Sequence, residues 1–184
     1  MRYHAASPVP HYRPFPNVES RNVLQAHVEI PALVQLLPLP HQADVLEVGC
    51  GRGVALEPLA RLLRPASLTG VDVDSGLLRE AEPHARAVAP AATLVRADLR
   101  NLPFADGSFD LVVDFGTCYH VAGRARALGE IARVLRPGGV LVHETVFTQA
   151  LSHPLRFRGP LPWASVSELE PGRSALFWAT RRKR

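Results

Sequence analysis

Three glycines at alternate positions form the stretch of this sequence that is best suited to bind a ligand. Gly49, Gly51 and Gly53 follow the short apolar run DVLEV and precede a predicted helix over residues 54–63. Alternate glycines remove side chains where a ligand lies against the backbone, and the unpaired N–H groups at a helix start favour a negatively charged group. The stretch therefore predicts a loop that cradles a nucleotide or a carboxylate.

Tyr119 and His120, within DFGTCYHV at 114–121, are the side chains best suited to handle a proton. Because histidine titrates near neutral pH, we expect this pair to accept or position a proton that is carried by an oxygen or nitrogen atom of a substrate. His143 and Glu144 lie on opposite faces of a predicted strand, so one of them can point toward the acceptor. Packing, capping or a structural hydrogen bond is the alternative role for each of these residues.

The histidines and cysteines do not have the spacing of metal ligands. They are scattered along the chain, for example at His41, His84, His143, His153, Cys50 and Cys118. Two cysteines are also too few for a disulfide framework. We therefore expect reduced thiols and no bound metal.

The elements that must position these residues alternate between strand and helix. Apolar runs predict the strands, and apolar residues at helical spacing predict the helices between them. The predicted strands cover 44–48, 67–73, 93–97, 109–115 and 140–147, and the helices cover 54–63, 75–86 and 123–135. This alternation predicts an α/β fold, with a parallel sheet and helices on both faces.

The segment before the first strand is predicted to have two parts. Residues 1–16 combine prolines with aromatic side chains, and they form either a lid over the site or a loose terminus. Residues 17–37 have apolar residues at helical spacing, interrupted by Pro31. Because proline is accepted only in the first turn of a helix, we predict two helices, the second beginning near Pro31.

The C-terminal segment is predicted to be irregular at first and then to form a hairpin. Residues 152–162 contain three prolines and a glycine, which favours an irregular connection. Two strands at 163–169 and 175–180 are then predicted around the Pro171-Gly172 turn.

Four motifs in a fixed order give the chain a family resemblance. The glycine stretch reads (D/E)xGxGxG from Glu47, with the third glycine at the fifth position of the loop, where dinucleotide-binding proteins place it at the sixth. GVDVD at 70–74, VRADLRNLPFADGSFDLVV at 95–113 and RPGGV at 136–140 follow. Together they resemble the motifs of class I S-adenosylmethionine-dependent methyltransferases, of the type 11-like, small-molecule branch. The resemblance implies a Rossmann-like, doubly wound, mostly parallel sheet with an antiparallel C-terminal hairpin strand.

The same resemblance implies how S-adenosylmethionine would be bound. Asp72 would accept hydrogen bonds from both ribose hydroxyls, Asp98 would accept one from the adenine amino group, and Glu47 would fix the loop or receive the ammonium group. The implied cofactor-binding residues are Glu47, Gly49, Cys50, Gly51, Gly53, Asp72, Val73, Asp98, Leu99, Asp114 and Phe115. The candidate catalytic residues are His120, Tyr119 and His143.

The predicted function is methyl transfer from S-adenosylmethionine to an oxygen, nitrogen or carbon atom of a small molecule, by direct displacement and without a metal. The (N/D)PPY motif of enzymes that methylate exocyclic amines of bases is absent from 114–121, which disfavours such acceptors. One alternative is a non-catalytic S-adenosylmethionine-binding module that needs a partner to complete its substrate site. An NAD-linked oxidoreductase is disfavoured by the glycine spacing and by Glu47.

The composition is that of an ordinary soluble protein. At 184 residues, with 47% hydrophobic and 21% charged residues, the chain suits one domain, 1–184. We divide it into an N-terminal lid and helices (1–40), a cofactor-binding core (43–148) and an irregular loop with the C-terminal hairpin (149–184).

The partners and the compartment follow from charge and hydropathy. No apolar run approaches the roughly 20 residues that span a bilayer, and no signal segment is visible, so we expect a cytoplasmic protein with no membrane contact. The net charge of +4 owes much to the basic residues at 181–184, which we interpret as a solvated tail and not as a nucleic-acid contact. We expect a monomer or a homodimer with a small-molecule acceptor.

Overall fold

A computed structural model describes residues 22–23, 25–32, 42–88, 92–144, 161–170 and 177–184. Within them the strands are β1 (Asp44–Val48), β2 (Ser67–Asp72), β3 (Ala92–Arg96), β4 (Phe109–Asp114), β5 (Leu135–Glu144), β6 (Leu169–Glu170) and β7 (Phe177–Arg182). They form one sheet in the order β3-β2-β1-β4-β5-β7-β6. Neighbours among β1 to β5 pair in parallel, whereas β7 pairs antiparallel with β5 and β6. The predicted α/β class, the doubly wound order and the antiparallel C-terminal hairpin are confirmed.

The α-helices that follow β1 in the described residues lie between the parallel strands. They are α1 (Leu56–Leu63), α2 (Ser75–Ala87), α3 (Thr117–His120) and α4 (Arg124–Val134). α1 ends as predicted before Pro65, because Arg64 adopts a left-handed conformation with φ 48°. Asp74 caps α2, and its side chain accepts hydrogen bonds from the N–H groups of Gly76 at 2.7 Å and Leu77 at 3.3 Å.

The strand residues alternate between two apolar layers, one on each face of the sheet. In β1, Leu46 packs in the layer that contains α4, whereas its neighbour Val45 packs in the layer that contains α1. Leu59 of α1 and Ile131 of α4 are fully buried in these layers. Burial of one such side chain stabilises the fold by about 1.5–3 kcal/mol. Coverage of both faces explains why the parallel strands are continuous hydrophobic runs.

An ion-pair cluster joins the amino ends of the central strands. The Arg136 guanidinium donates to Asp110 Oδ2 at 2.5 Å and to Asp44 Oδ2 at 2.8 Å. The Ser67 hydroxyl donates to Asp44 Oδ1 at 2.5 Å. The hydrogen bond from Ser67, followed by that from Arg136, holds the pKa of Asp44 below its ordinary value. The cluster ties together β1, β2, β4 and β5 at the edge of the sheet from which the parallel strands begin.

Two predicted elements differ from the structure near the C-terminus. In place of a strand at 163–169, Trp163–Ser165 forms a 3₁₀ turn, and the sheet contains only Leu169–Glu170. Hydrogen bonds close this turn, since the carbonyl of Pro162 accepts from the backbone N–H of Ser165 at 3.1 Å and from its hydroxyl at 2.7 Å. β5 begins at Leu135 and not at residue 140, and its ladder with β4 is irregular between Phe109 and Leu111.

The N-terminal predictions are tested only in part. Residues 25–32 are helical, and the α-helical part begins at residue 30, next to Pro31, where the sequence predicts the start of the second helix. A π-helical turn, Gln25–Glu29, precedes the proline, which has no N–H to donate. The predicted lid at 1–16, residues 152–160 and the Pro171-Gly172 turn lie outside the described residues. No helix in the described part of the chain is long and apolar enough to cross a membrane.

Candidate functional site

An open cleft lies at the carboxyl ends of the parallel strands, where ligands bind in folds of this kind. Its empty volume, which includes open solvent, is about 550 Å³. Residues that follow β1, β2, β3 and β4 line it, namely Gly49, Val71, Asp72, Val73, Ala97, Asp98, Leu99, Thr117, His120 and Val121. Residues that are far apart in the sequence therefore meet at one edge of the sheet.

The glycine loop turns sharply between β1 and α1. All three of its glycines have positive φ, at 68°, 53° and 75° for Gly49, Gly51 and Gly53. A Cβ atom on Gly49 would lie 2.5 Å from Thr117 Cγ2 and closer still to Thr117 Oγ1. A Cβ atom on Gly51 would meet nothing within 4 Å. Glycine is therefore required at 49 by packing and conformation, and at 51 by conformation alone.

Asp72 is fixed where β2 ends beside this loop. Its Oδ2 atom accepts a hydrogen bond from the Gly51 N–H at 2.9 Å, and its Oδ1 atom accepts one from the Asp74 N–H at 2.9 Å. Burial raises the pKa of Asp72, and these two hydrogen bonds oppose that shift. The carboxylate therefore has one orientation, set by the backbone on both sides of it.

Asp98 lies in the turn after β3 and is held by Arg100. The Arg100 side chain donates to Oδ1 of Asp98 at 3.0 Å through Nε and to Oδ2 at 2.6 Å through Nη2. These hydrogen bonds hold the pKa of Asp98 below its ordinary value. Asp98 also caps its own turn, because its Oδ1 atom accepts from the Arg100 backbone N–H at 2.9 Å.

Asp114 positions the short helix α3 over the glycine loop. Its buried carboxylate accepts hydrogen bonds from the N–H groups of Thr117 at 2.6 Å and Cys118 at 3.3 Å. Burial raises the pKa of Asp114 to about 6, although these hydrogen bonds lower it. The cap places Thr117 and His120 at the cleft, while Asp114 itself is fully buried.

Glu47 is a buried carboxylic acid in the central strand. Its backbone lies between Gly70 of β2 and Val113 of β4, and the residue is 2% exposed. Among the described residues, its Oε2 atom has no hydrogen-bond partner. Burial, followed by repulsion from the Asp72 carboxylate, raises the pKa of Glu47 to about 8. The side chain is therefore mainly protonated at neutral pH.

Tyr119 and His143 are buried away from the residues that line the cleft. The Tyr119 hydroxyl donates to the Glu144 carbonyl at 3.1 Å, and His143 Nδ1 lies 3.0 Å from the same oxygen. Because a carbonyl only accepts, Nδ1 carries the proton. Burial lowers the pKa of His143 to about 3, and its ring centroid lies 4.5 Å from that of Trp163. Of the three candidate catalytic residues, His120 is the one at the cleft.

Two residues near the cleft, Thr117 and Arg100, are not among the site residues that the sequence predicts. Thr117 had a usable signal, because Asp114 three residues earlier is the spacing of a side chain that caps a helix start. Arg100 had none, since an arginine two residues after an aspartate is usually exposed and solvated. Within the described residues, no group of three or more His, Cys, Asp or Glu side chains could hold a metal ion.

Comparison with known proteins identifies relatives of this chain. A family model described as a methyltransferase domain matches residues 46–143. The chain is 41% identical over 99 residues to phthiotriol/phenolphthiotriol dimycocerosates methyltransferase 1 of Mycobacterium ulcerans, a match that covers 54% of this chain and 36% of that protein. It is 37% identical over 102 residues to a probable S-adenosylmethionine-dependent methyltransferase of Mycolicibacterium smegmatis, covering 55% of this chain and 37% of the relative.

These matches span little more than a third of the relatives' own length. Among solved structures, the chain is similar to one from a complex described as the Haloferax volcanii Trm112 methyltransferase activator and a putative methyltransferase. The TM-score is 0.72 at 16% identity, and the match covers 90% of this chain and 94% of that one. At this identity the likeness shows the fold alone.

Proposed function

This chain belongs to the methyltransferase domain family, and on that premise we propose that it binds S-adenosylmethionine in the cleft and methylates a small molecule. The observation that carries the proposal is the Asp72 carboxylate, held by two backbone N–H groups where β2 ends beside the glycine loop. A rigid carboxylate at that point is what a ribose diol requires.

The acceptor capacity of Asp72 supports its assignment to the ribose. A carboxylate offers about four lone-pair positions, two on each oxygen. The Gly51 and Asp74 N–H groups use one on each oxygen, so one position per oxygen is left. Two acceptors on one fixed group match two neighbouring hydroxyls.

The other predicted cofactor-binding residues fit the two ends of the same ligand. Asp98 and Leu99 line the cleft after β3 and are assigned to adenine. Glu47 is assigned to fix the loop or to receive the ammonium group of the methionine end, where a cation beside its buried Oε2 atom would favour loss of the carboxyl proton. The other residues that we assign to cofactor binding lie in the glycine loop, after β2 and at the end of β4. They are Gly49, Cys50, Gly51, Gly53, Val73, Asp114 and Phe115.

Methyl transfer requires alignment more than acid–base chemistry. When bound, S-adenosylmethionine supplies an electrophilic methyl group that an acceptor lone pair takes as S-adenosylhomocysteine leaves. We assign His120, at the cleft, to receive or orient the acceptor proton. Tyr119 and His143, which meet at the Glu144 carbonyl, are assigned to hold the ends of β5 and α3 in place.

A hydroxyl group is the acceptor that we propose to test first. The relative from Mycobacterium ulcerans is named for a triol, and the family model matches residues 46–143, which include the residues that line the cleft. Acceptor nitrogen and carbon atoms form the comparison set. The acceptor is proposed as a small molecule, with no metal in the transfer step.

Titration of S-adenosylhomocysteine into the purified chain tests the cofactor assignment. Asp72→Asn is expected to weaken binding by at least about 1 kcal/mol, since one acceptor of the diol becomes a donor. Asp106→Asn is the matched control, because Asp106 is 76% exposed and pairs with Arg133 outside the cleft. Calorimetry that detects no binding to the unaltered chain would refute the proposal.

Turnover is then measured with methyl-labelled S-adenosylmethionine and hydroxyl, amine and carbon acceptors. Label that appears in a hydroxyl compound supports oxygen transfer by this chain. Binding without turnover on any acceptor, followed by turnover when a co-purifying chain is added, would support the binding-module alternative.

A further inference from the structure

Arg100 fixes the carboxylate that is assigned to adenine. Asp98 Oδ1 accepts from the backbone N–H of Arg100 at 2.9 Å and from its Nε at 3.0 Å, and Asp98 Oδ2 accepts from Nη2 at 2.6 Å. This is a side-on pairing of a guanidinium with a carboxylate, which has a fixed geometry as well as a favourable charge interaction. Arg100 and Asp98 are about one third exposed, at 33% and 36% of their side-chain surfaces.

The turn that carries both residues is itself anchored to α4. The carbonyl of Arg100 accepts from Arg126 Nε at 2.9 Å, and the Leu102 N–H donates to Glu130 Oε2 at 2.8 Å. The Asn101 N–H closes the turn onto the Asp98 carbonyl at 2.8 Å. Arg100 therefore acts from a rigid support.

The pairing leaves Asp98 with little spare acceptor capacity. Of about four lone-pair positions, the three N–H donors of Arg100 occupy about three, because its Nε is shared between Oδ1 at 3.0 Å and Oδ2 at 3.1 Å. About one position is left on the carboxylate, and it can accept a single hydrogen bond. Because the carboxylate is ionised and cannot donate, it favours a ligand edge that carries an N–H donor and disfavours one that carries a carbonyl oxygen.

Resting on the proposed function, we infer that Arg100 is a positioning residue for base selection: it orients Asp98 so that the cleft takes a 6-amino purine and rejects a 6-oxo purine. The hydrogen bonds and the charge of Arg100 lower the pKa of Asp98, so the carboxylate stays ionised to a lower pH. The fork of the guanidinium contributes by fixing the orientation of the carboxylate.

The test compares the affinities of two probes, S-adenosyl-L-homocysteine and S-inosyl-L-homocysteine, for the full chain. The unaltered chain is expected to bind the adenosyl probe about 10-fold or more tightly than the inosyl probe. The adenosyl amino group donates a hydrogen bond to the charged Asp98 carboxylate, whereas the inosyl carbonyl oxygen is repelled by it. Arg100→Gln is expected to reduce this ratio to within about 3-fold. Arg100→Lys keeps the charge without the fork and should give an intermediate ratio.

The ratio distinguishes base selection from a general loosening of the site, because loosening weakens both probes equally. Arg86→Gln is the matched control, since Arg86 is 77% exposed on α2 and pairs with Glu82. A second readout is the pH dependence of the adenosyl affinity. In Arg100→Gln its decline on the acid side should begin at a higher pH, because the pKa of Asp98 rises when Arg100 is removed.

Three outcomes would decide the matter. A ratio that falls in Arg100→Gln and is unchanged in Arg86→Gln supports the inference. Tighter binding of the adenosyl probe by Arg100→Gln would overturn the inference, because Arg100 would then compete with the base for Asp98. An unchanged ratio would also overturn it, because Arg100 would then have no effect on base selection. The proposed function would stand in both cases. Failure of the unaltered chain to bind either probe would overturn both.

Discussion

Replacement of Gly49 by alanine is expected to destabilise the fold through one identifiable contact. The nearest atoms to the new Cβ would all belong to the Thr117 side chain, with Cγ2 at 2.5 Å and Cβ at 2.7 Å. Real Cβ atoms do not approach other carbon atoms so closely, so either α3 or the loop must move. Gly49 also has φ 68°, which an alanine adopts only with strain.

The magnitude can be divided into two parts by a matched control. The left-handed conformation costs about 1–2 kcal/mol for a residue with a Cβ atom, and overpacking in a tight site costs about 1–3 kcal/mol more. Gly49→Ala is therefore expected to lower the free energy of unfolding by roughly 2–5 kcal/mol. Gly51→Ala has φ 53° and open space around its Cβ, so its cost should be about 1–2 kcal/mol.

Urea denaturation followed by circular dichroism measures these costs, and a double-mutant cycle with Thr117→Gly isolates the contact. In the Thr117→Gly background all three colliding atoms are gone, so Gly49→Ala should cost no more than Gly51→Ala does. The coupling energy is expected to be about 1–3 kcal/mol. Equal costs for the two glycine substitutions, or a coupling energy below about 0.5 kcal/mol, would refute the steric account.

Three further predictions concern the proposed proton transfer at His120, the buried carboxyl group of Glu47 and the ion-pair cluster around Arg136. His120→Gln should lower turnover by about 10²–10⁴-fold while S-adenosylhomocysteine affinity is retained, with His84→Gln as control; equal losses of affinity and turnover would argue against a proton role. Because the pKa of Glu47 is raised to about 8, the folded state binds more protons than the unfolded state, so stability falls as pH rises from about 4.5 to 8. Thermal unfolding should show that decline in the unaltered chain and less of it in Glu47→Gln; parallel pH profiles would contradict the assignment. Arg136→Gln should lower the free energy of unfolding by about 1 kcal/mol in urea, an effect that shrinks in high salt, because its side chain is 40% exposed.

The parallel α/β architecture could be predicted from local patterns in the sequence, whereas the doubly wound order followed from the family resemblance. Apolar runs such as 109–115 favour strands buried on both faces, and alternation with helices favours parallel pairing. The errors occur where local signals compete. At 163–169 aromatic and aliphatic residues favour a strand, but Pro162 and Ser165 close a turn there.

The glycine loop, the position of Asp72 at the end of β2 and the family could likewise be identified from the sequence alone. Their signals are residue type and spacing within short segments, and the backbone geometry of a strand followed by a glycine turn fixes where such residues lie. The family model matches residues 46–143, which include all four motifs.

What the tertiary structure decided is which side chains are available to a ligand. Tyr119 and His120 are neighbours in the sequence, and both are candidates to handle a proton. In the structure, Tyr119 is buried against the Glu144 carbonyl, whereas His120 lines the cleft. The tertiary structure also decides how much of Asp98 is available, because Arg100 occupies most of the hydrogen-bond acceptor positions of its carboxylate. Spacing along the chain determines which elements form and the end of the sheet at which a residue lies. Burial and hydrogen-bond occupancy arise from packing between distant segments, and only the folded chain brings those segments together.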